Sequence, residues 1–255
     1  MNEQYKVQVQ DLVDDLKAVF THAGLGGEAG EYKLLTQSFL YKFLNDKFLY
    51  EAQDVDSENT YDRLVSMSEE DYDWLLEDIG TSTAWMKPNQ FIETLHRKQN
   101  ESDFYETFEN TLNQIAIDNN DIFSVHTDGD TAIRLFDERL ITDTISDSSK
   151  RNEVAKAIIN LLARVKFDET IFSQGFDFFS TLFEYMIKDY NKDGGGKYAE
   201  YYTPHSVAKI IADILVGNDQ PSNVRIYDPS AGSGTLLMNL ASRIGVDKTT
   251  VYSQD

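Results

Sequence analysis

Apolar side chains in the first 120 residues recur every three or four positions, which is the spacing of one face of a helix. The pattern predicts helices over residues 4–22, 31–51 and 103–117. A further helix is expected after Ser68, a good N-cap that acidic residues follow in the first turn. Residues 81–88 are expected to be extended or irregular, because Pro88 disfavours a helix before it. The first part of the chain is therefore predicted to be mostly helical.

The pattern changes character after residue 118. Residues 118–149 are polar and interrupted, which predicts a linker, and helical spacing then returns over residues 151–165 and 172–190. Short β-rich runs end at Tyr227 and Tyr252, and a glycine-rich loop and a helical pattern follow the first of them. The order predicts two domains. Residues 1–150 form a helical N-terminal domain with a linker, and residues 151–255 form the first part of an α/β domain.

Composition excludes several classes of protein. The net charge is −21, and residues 1–150 account for most of it, with 12 Lys/Arg against 31 Asp/Glu. This part repels a phosphate backbone, and its acidity indicates either a solvated surface or a docking face for a basic partner. There are no cysteines, and the four histidines lack metal-ligand spacing, so no metal is predicted. No signal peptide and no apolar run of about 18 residues is seen, so we expect a cytoplasmic protein with no membrane partner.

The most informative stretch is the loop Asp228-Pro-Ser-Ala-Gly-Ser-Gly, which lies between a predicted strand and a helix that begins near Thr235. It lacks the third glycine of the dinucleotide fingerprint G-x-G-x-x-G and the lysine of a phosphate-binding loop. Gly232, Ser233 and Gly234 permit close backbone approach, and the acid can accept from an ammonium or hydroxyl group. A ligand with a cationic amino-acid end, such as S-adenosylmethionine, suits this arrangement. A plain strand-to-helix turn is the alternative.

Two further segments flank the loop. Glu200-Tyr201-Tyr202-Thr203-Pro204-His205 follows three glycines, which indicates a movable cover over the ligand, although it is also ordinary helix-start chemistry, with Thr203 as N-cap and Pro204 as the first helical residue. Asp255 follows the second predicted strand, at a distance where an acid often binds ribose hydroxyls in doubly wound sheets. An exposed terminal residue is the equal alternative for Asp255.

Together, Glu200-Tyr-Tyr-Thr-Pro and Asp228-Pro-Ser-Ala-Gly-Ser-Gly resemble motifs of the modification subunit of type I restriction–modification systems. These subunits are adenine-N6 DNA methyltransferases, and the usual forms are G-E-F-Y/F-T-P and D-P-x-x-G-S/T-G/A-G/S. The resemblance implies an S-adenosylmethionine-dependent, Rossmann-like methyltransferase domain. It also implies a specificity subunit, a restriction (nuclease) subunit, a second modification subunit and double-stranded DNA as partners.

The resemblance also assigns roles to residues of this chain. Glu200 to His205 would line the methionine side of the cofactor, and Asp228 with Gly232 to Thr235 would form the floor of the pocket. Asp255, in Tyr252-Ser-Gln-Asp, matches the family's Y-G-x-E and would hold the ribose. Two small departures are Ala199 and Ser253, which stand where the family usually has glycine.

One departure from the family is large. The family's catalytic motif, N-P-P-F/Y, holds a flipped adenine, and the four prolines of this chain lie elsewhere. We therefore expect a truncated methyltransferase domain with no catalytic residue in this chain, which would be inactive alone. The alternatives are a methyltransferase that acts on RNA or protein, and a non-catalytic assembly fragment.

Overall fold

A computed structural model describes residues 3–27, 29–81, 83–120, 125–126, 132–172, 203–232 and 234–254. These residues fall into two compact units, one up to Phe172 and one from Thr203 onward. The first unit is mostly helical, and the second contains a small parallel sheet. This agrees with the predicted order of a helical part followed by a β/α part. None of the helices in these ranges combines the length and the apolarity that crossing a bilayer requires.

The first unit, which we call the helical unit, contains nine helices within the described ranges. They are α1 (Glu3–Ala23), α2 (Ala29–Val55), α3 (Tyr61–Ser66), α4 (Glu69–Ile79), α5 (Ile92–Lys98), α6 (Phe104–Asp118), α7 (Leu140–Thr144), α8 (Ser148–Arg164) and α9 (Glu169–Phe172). A single 3₁₀ turn, Pro88–Gln90, precedes α5. Two short antiparallel strands, β1 (Val125–His126) and β2 (Ala132–Ile133), pair between α6 and α7.

The core of the helical unit forms where the apolar faces of these helices meet. Helix α8 packs against α1, α5 and α6, and α2 packs against α1, α4 and α7. The largest fully buried side chains come from helices and connections throughout the unit: Phe20, Phe39, Tyr41, Phe48, Phe91, Phe104, Phe108, Phe136 and Phe167. The helical spacing in the sequence therefore marked core faces, and Phe39, Tyr41 and Phe48 of α2 belong to the core.

The polar stretch 118–149 contains more structure than its sequence indicates. Leu140, Ile141 and Ile145 are fully buried around α7, and the Asp147 side chain caps α8 by accepting from Ser149 N at 3.0 Å. A helix of five residues is too short to show periodicity. The division of the chain into domains at residue 150 stays a prediction, while the contacts of α8 group it with the helices before it.

A buried ion pair ties α2 to the connection between α8 and α9. Lys42 Nζ lies 2.8 Å from Asp46 Oδ2, and both side chains are about 5% exposed or less. Asp46 also accepts from Asn45 Nδ2 at 2.7 Å and from Phe167 N at 2.7 Å. Burial lowers the pKa of the Lys42 ammonium, and the charge of Asp46 opposes that effect. The carboxylate therefore serves three donors in the interior.

The second unit, which we call the sheet unit, has the order α10 (His205–Val216), β3 (Val224–Asp228), α11 (Thr235–Ile244), a 3₁₀ turn (Val246–Lys248) and β4 (Thr249–Ser253). Strands β3 and β4 are parallel, with Ile226 opposite Val251. Ile226, Leu237 and Ala241 form the buried cluster between β3 and α11. Both predicted strands are confirmed. The helix before them begins at His205 rather than at Pro204, because Pro204 is itself the N-cap, with ψ 133°.

Candidate functional site

The predicted ligand loop lies at the carboxyl ends of two parallel strands. Gln254 N donates to Asp228 O at 3.0 Å, and Ala231 N donates to Gln254 O at 2.9 Å. These two hydrogen bonds fasten the loop after β3 to the residue that follows β4. In open α/β sheets this edge is where ligands bind, so the backbone places the loop at the expected end of the sheet.

The Asp228 carboxylate is held at the mouth of the loop. Its Oδ1 accepts a hydrogen bond from Ser230 N at 2.9 Å, which closes a turn, and the residue is half-buried. A partly exposed carboxylate with one oriented oxygen is suited to accept from an ammonium or a hydroxyl group of a ligand. The hydrogen bond from Ser230 thus fixes the position of Asp228, the acid that the sequence analysis singled out.

Two glycines give the loop its shape. Gly232 and Gly234 have φ of 52° and 72°, a region that side-chain-bearing residues rarely adopt. Gly234 is the N-cap of α11, where it supplies no side-chain acceptor, and a Cβ built on it would meet no atom within 4 Å. The backbone conformation, and not crowding, therefore requires glycine here. The helix begins at an uncapped turn that faces open space, which favours a polar or anionic group of a ligand.

Helix α11, which follows the loop, is anchored by buried side chains in its first turns. Thr235 and Asn239 are both 6% exposed, and Asn239 Nδ2 donates to Thr235 O at 2.7 Å. Leu237, which lies between them, belongs to the buried cluster. The side chain of Thr235 therefore lies in the interior, and the small loop residues before it form most of the exposed surface.

The structure brings together part of the predicted residue set. Asp228, Gly232, Gly234 and Thr235 share one loop and helix start, while Thr203, Pro204 and His205 lie at the start of α10. Helix α10 packs against α11, and Arg243 of α11 donates to Asp213 Oδ1 at 2.7 Å and to Gly217 O at 2.8 Å. The other predicted site residues lie outside the described residues: Glu200, Tyr201, Tyr202, Ser233 and Asp255.

Gln254 is a residue of the site that sequence reasoning missed. Its backbone forms both hydrogen bonds to the loop, and its Oε1 accepts from Tyr227 Oη at 2.9 Å. The only signal in the sequence is its position directly after a β-rich run. Within the described ranges no group of three His, Cys, Asp or Glu side chains is placed to hold a metal ion.

The residues present fit S-adenosylmethionine. A carboxylate acceptor lies beside an uncapped helix start, and the open space at Gly234 admits a ligand close to the backbone. A cationic amino group and a carboxylate on one ligand would match these two features. The strand, glycine loop and helix thus form a β-loop-α unit of the kind that binds ligands in α/β proteins.

Comparison with known proteins shows which α/β proteins this chain resembles. Residues 174–254 match the family model of N-6 DNA Methylase. The chain is 23% identical over 257 residues to the methylase subunit of the type I restriction enzyme MpnII from Mycoplasma pneumoniae, an alignment that covers 96% of this chain and 45% of that protein. It is 24% identical over 208 residues to the MjaVIII methylase subunit from Methanocaldococcus jannaschii, which covers 82% of this chain and 32% of that one.

A solved structure has the same fold. The methyltransferase subunit of a type I restriction–modification system from Streptococcus thermophilus superposes with a TM-score of 0.68 at 21% identity, over 97% of this chain and 52% of that one. The chain is therefore similar to methylase subunits of type I restriction enzymes over most of its length, and residues 174–254 carry the match to the N-6 DNA Methylase model. It spans about a third to a half of the length of these three relatives.

Proposed function

We propose that this chain is the cofactor-binding, N-terminal part of a modification subunit that methylates adenine N6 in DNA. The loop between β3 and α11 would hold S-adenosylmethionine, the cofactor that an N-6 methyltransferase family implies. The observation that carries the proposal is the geometry of Asp228 and Gly234. An oriented carboxylate lies next to a glycine-capped helix start at the carboxyl edge of a parallel sheet.

Each loop residue would have a distinct role. Asp228 would accept a hydrogen bond from the cofactor, and Gly232, Ser233 and Gly234 would let the backbone approach it. Thr235 would anchor the helix start from the interior, where it is 6% exposed. When bound, the cofactor supplies an activated methyl group on a sulfonium.

The start of α10 would complete the methionine side of the site. Arg243 joins the C-terminal ends of α10 and α11. Helices that pack side by side with adjoining C-terminal ends have their N-terminal ends on the same side, which would bring His205 toward the loop. We extend this proposal to Glu200, Tyr201, Tyr202, Thr203 and Pro204 as a cover, and to Asp255 as the ribose acceptor, on the strength of their motifs alone.

The proposal also covers the whole complex. A specificity subunit, a restriction subunit and a second modification subunit would be the partners, acting on double-stranded DNA. Methyl transfer would require an N-P-P-F/Y segment, which these 255 residues do not contain. The chain alone is therefore expected to bind cofactor and to transfer no methyl group.

Calorimetric titration tests the cofactor site. S-adenosylmethionine added to the 255-residue chain should release or absorb heat with one-site stoichiometry. Asp228→Asn should weaken binding about tenfold or more, because it removes a charge-assisted hydrogen bond worth about 1.5–3 kcal/mol. Asp219→Asn is the matched control, because Asp219 is an exposed acid of the sheet unit outside the loop, and it should bind as the wild type does. No heat from a folded wild-type chain would refute cofactor binding, and equal losses in both variants would refute the role of Asp228.

A methyl-transfer assay tests the expectation that the chain alone transfers no methyl group. The chain is incubated with radiolabelled S-adenosylmethionine and unmethylated duplex DNA, and methyl incorporation is counted after N6-methyladenine has been separated. We expect no incorporation above the background of a protein-free reaction. Incorporation into adenine would show that N-P-P-F/Y is dispensable. Parallel reactions replace the DNA with RNA or with protein, and incorporation into either of these would contradict the DNA assignment.

A further inference from the structure

A polar groove crosses the helical unit where the end of α2, helix α3 and helix α4 meet. It has a volume of about 580 Å³. One wall is formed by the end of α2, the following loop and α3, and it includes Asp56, Asn59 and Arg63. The other wall is the face of α4 that carries Asp71, Trp74 and Asp78. This groove is in the helical unit and plays no part in the cofactor proposal.

The wall on α4 combines an exposed aromatic ring with acids. Asp71, Trp74 and Asp78 are spaced by three and four positions, so they lie along one face of the helix. Trp74 is 62% exposed, whereas Leu75 beside it is 5% exposed and belongs to the core. Trp85, the other tryptophan, lies half-buried and donates from Nε1 to Gly80 O at 2.6 Å. Trp74 is thus a large apolar side chain that the fold leaves in solvent beside a groove.

The charge around this groove is almost entirely negative. From Asp54 to Gly80 the chain has ten acidic residues and one basic residue, Arg63. Arg63 is occupied, because its Nη1 lies 2.9 Å from Asp56 Oδ2. Within the described part of the chain neither Asp71 nor Asp78 forms an ion pair, and Asp71 Oδ2 accepts only from Ser68 Oγ, at 2.6 Å. The α4 wall therefore presents acids that lack a cation.

One of the residues that line the groove contains a buried acceptor without a hydrogen-bond partner. Asn59 lines the groove and is 3% exposed. Its Nδ2 donates to Ala52 O at 2.9 Å, but its buried Oδ1 has no hydrogen-bond partner among the described residues. A buried acceptor left without a donor is unfavourable. An incoming N–H group would remove that cost.

We propose that this groove is a docking site for a basic protein segment that presents arginine next to an apolar side chain. A guanidinium can stack on the indole of Trp74 while it donates to the carboxylates of Asp71 or Asp78. The five donors of arginine also suit Asn59 Oδ1. Met67, which is half-buried and lines the same groove, offers contact for the apolar neighbour.

Other ligands fit the groove less well. DNA is repelled by the acids. A divalent ion is not indicated, because the described residues contain no group of three His, Cys, Asp or Glu placed for a metal. A polyamine would satisfy the acids, but it has no apolar side chain to cover Met67. Aromatic anchors such as Trp74 are typical of the centres of protein interfaces.

Fluorescence anisotropy of a labelled synthetic peptide with alternating arginine and leucine tests this site on the 255-residue chain. Trp74→Ala should raise the Kd about tenfold or more, and Asp71→Asn combined with Asp78→Asn should raise it about threefold to tenfold. The matched controls are Ile117→Ala, which removes another exposed apolar side chain, and Asp11→Asn with Glu101→Gln, which removes two exposed acids elsewhere. They should shift the Kd less than about twofold. Circular dichroism verifies that each variant is folded.

The outcomes separate the proposal from its rivals. Selective weakening by the groove variants supports it. No binding by the wild type, or equal weakening by the control variants, overturns it, because the attraction would then be absent or general. If spermine displaces the peptide at an equal concentration of charge and is equally sensitive to Trp74→Ala, the site binds small polycations instead. None of these outcomes depends on S-adenosylmethionine binding, so failure here leaves the cofactor proposal standing.

Discussion

At the scale of single residues, the interior of the helical unit depends on a few polar side chains that have buried partners. Asp46 accepts from Lys42, Asn45 and Phe167, and Tyr72 donates to Met86 O at 2.6 Å. Buried groups of this kind contribute specificity as long as every donor and acceptor is matched, and they become costly when one partner is removed.

Replacing Asp46 by alanine should lower the free energy of unfolding by about 3–5 kcal/mol, because the Lys42 ammonium would stay buried without its partner. Urea denaturation followed by circular dichroism measures the loss. Adding Lys42→Met to Asp46→Ala should restore part of the stability, since the uncompensated charge is then gone. A loss below about 1 kcal/mol for Asp46→Ala would show that water reaches the site.

Tyr72 should make the helical unit sensitive to alkali. Burial raises the pKa of the Tyr72 phenol well above its usual value near 10. Above about pH 10 the unfolded chain ionises this tyrosine and the folded chain does not, so the free energy of unfolding falls as the pH rises. Tyr72→Phe should make that fall shallower by up to about 1.4 kcal/mol per pH unit, measured by urea denaturation between about pH 9 and 12.

The buried Tyr41 provides an internal comparison for this pH effect. Burial and the charge of Asp46 raise its pKa as well, and its hydroxyl donates to Gln90 O at 2.6 Å. Tyr41→Phe should flatten the same pH profile. Identical slopes for the wild type and both variants would contradict the buried, neutral state of these phenols.

At the scale of elements, helix ends decide where the site begins. Ser68 caps α4 as its sequence predicted, accepting from Asp71 N at 3.2 Å, and Gly217 ends α10 with φ 56°. The start of α11 differs, because its N-cap is a glycine in a left-handed conformation. A weakly capped helix start is a local cost that a ligand can offset.

Gly234→Ala should destabilise the sheet unit by about 1–2 kcal/mol, because alanine is strained at φ 72°. Gly234→Asn should cost less, since asparagine tolerates this conformation and can accept from the first turn of α11. Native-state hydrogen exchange of amides in β3 and α11 measures the difference. Equal protection in wild type and Gly234→Ala would show that the loop shifts to a relaxed conformation.

At the scale of the whole molecule, the two units differ in how completely they bury apolar surface. Among the residues that the structure describes, all of the largest fully buried side chains lie in the helical unit. The described sheet unit has a buried cluster of Ile226, Leu237 and Ala241, and it exposes Ile210 at 59% and Ile214 at 74%. Within the described residues, the helical unit therefore contains the larger apolar core.

A chain that ends at Phe172 should fold by itself. We expect a helical circular dichroism spectrum and a single cooperative thermal transition, because this part contains its own core and a typical domain length. The midpoint should match that of the helical transition in the 255-residue chain. A non-cooperative melt would show that the core of the helical unit needs residues beyond Phe172.

Among the described residues, the sequence by itself determined the long helices, the two strands of the sheet unit and the glycine loop between strand and helix. The helix predicted over residues 172–190 lies almost entirely outside the described residues. These features follow from local rules, namely apolar periodicity, N-caps and the conformational freedom of glycine. Only the tertiary structure showed the short helices α3, α5 and α7, because five to seven residues are too few to display a period.

The tertiary structure also decided which polar residues are buried and which apolar ones are not. Lys42 and Asp46 have the spacing of an ordinary surface ion pair, yet they lie in the core because Phe167 packs over them. Trp74 is a large apolar residue of a kind that is usually buried, yet it is exposed beside an acidic groove. Burial is set by contacts between segments that are distant in sequence, so a local pattern could mark the glycine loop but not the partners of Asp46 or the surroundings of Trp74.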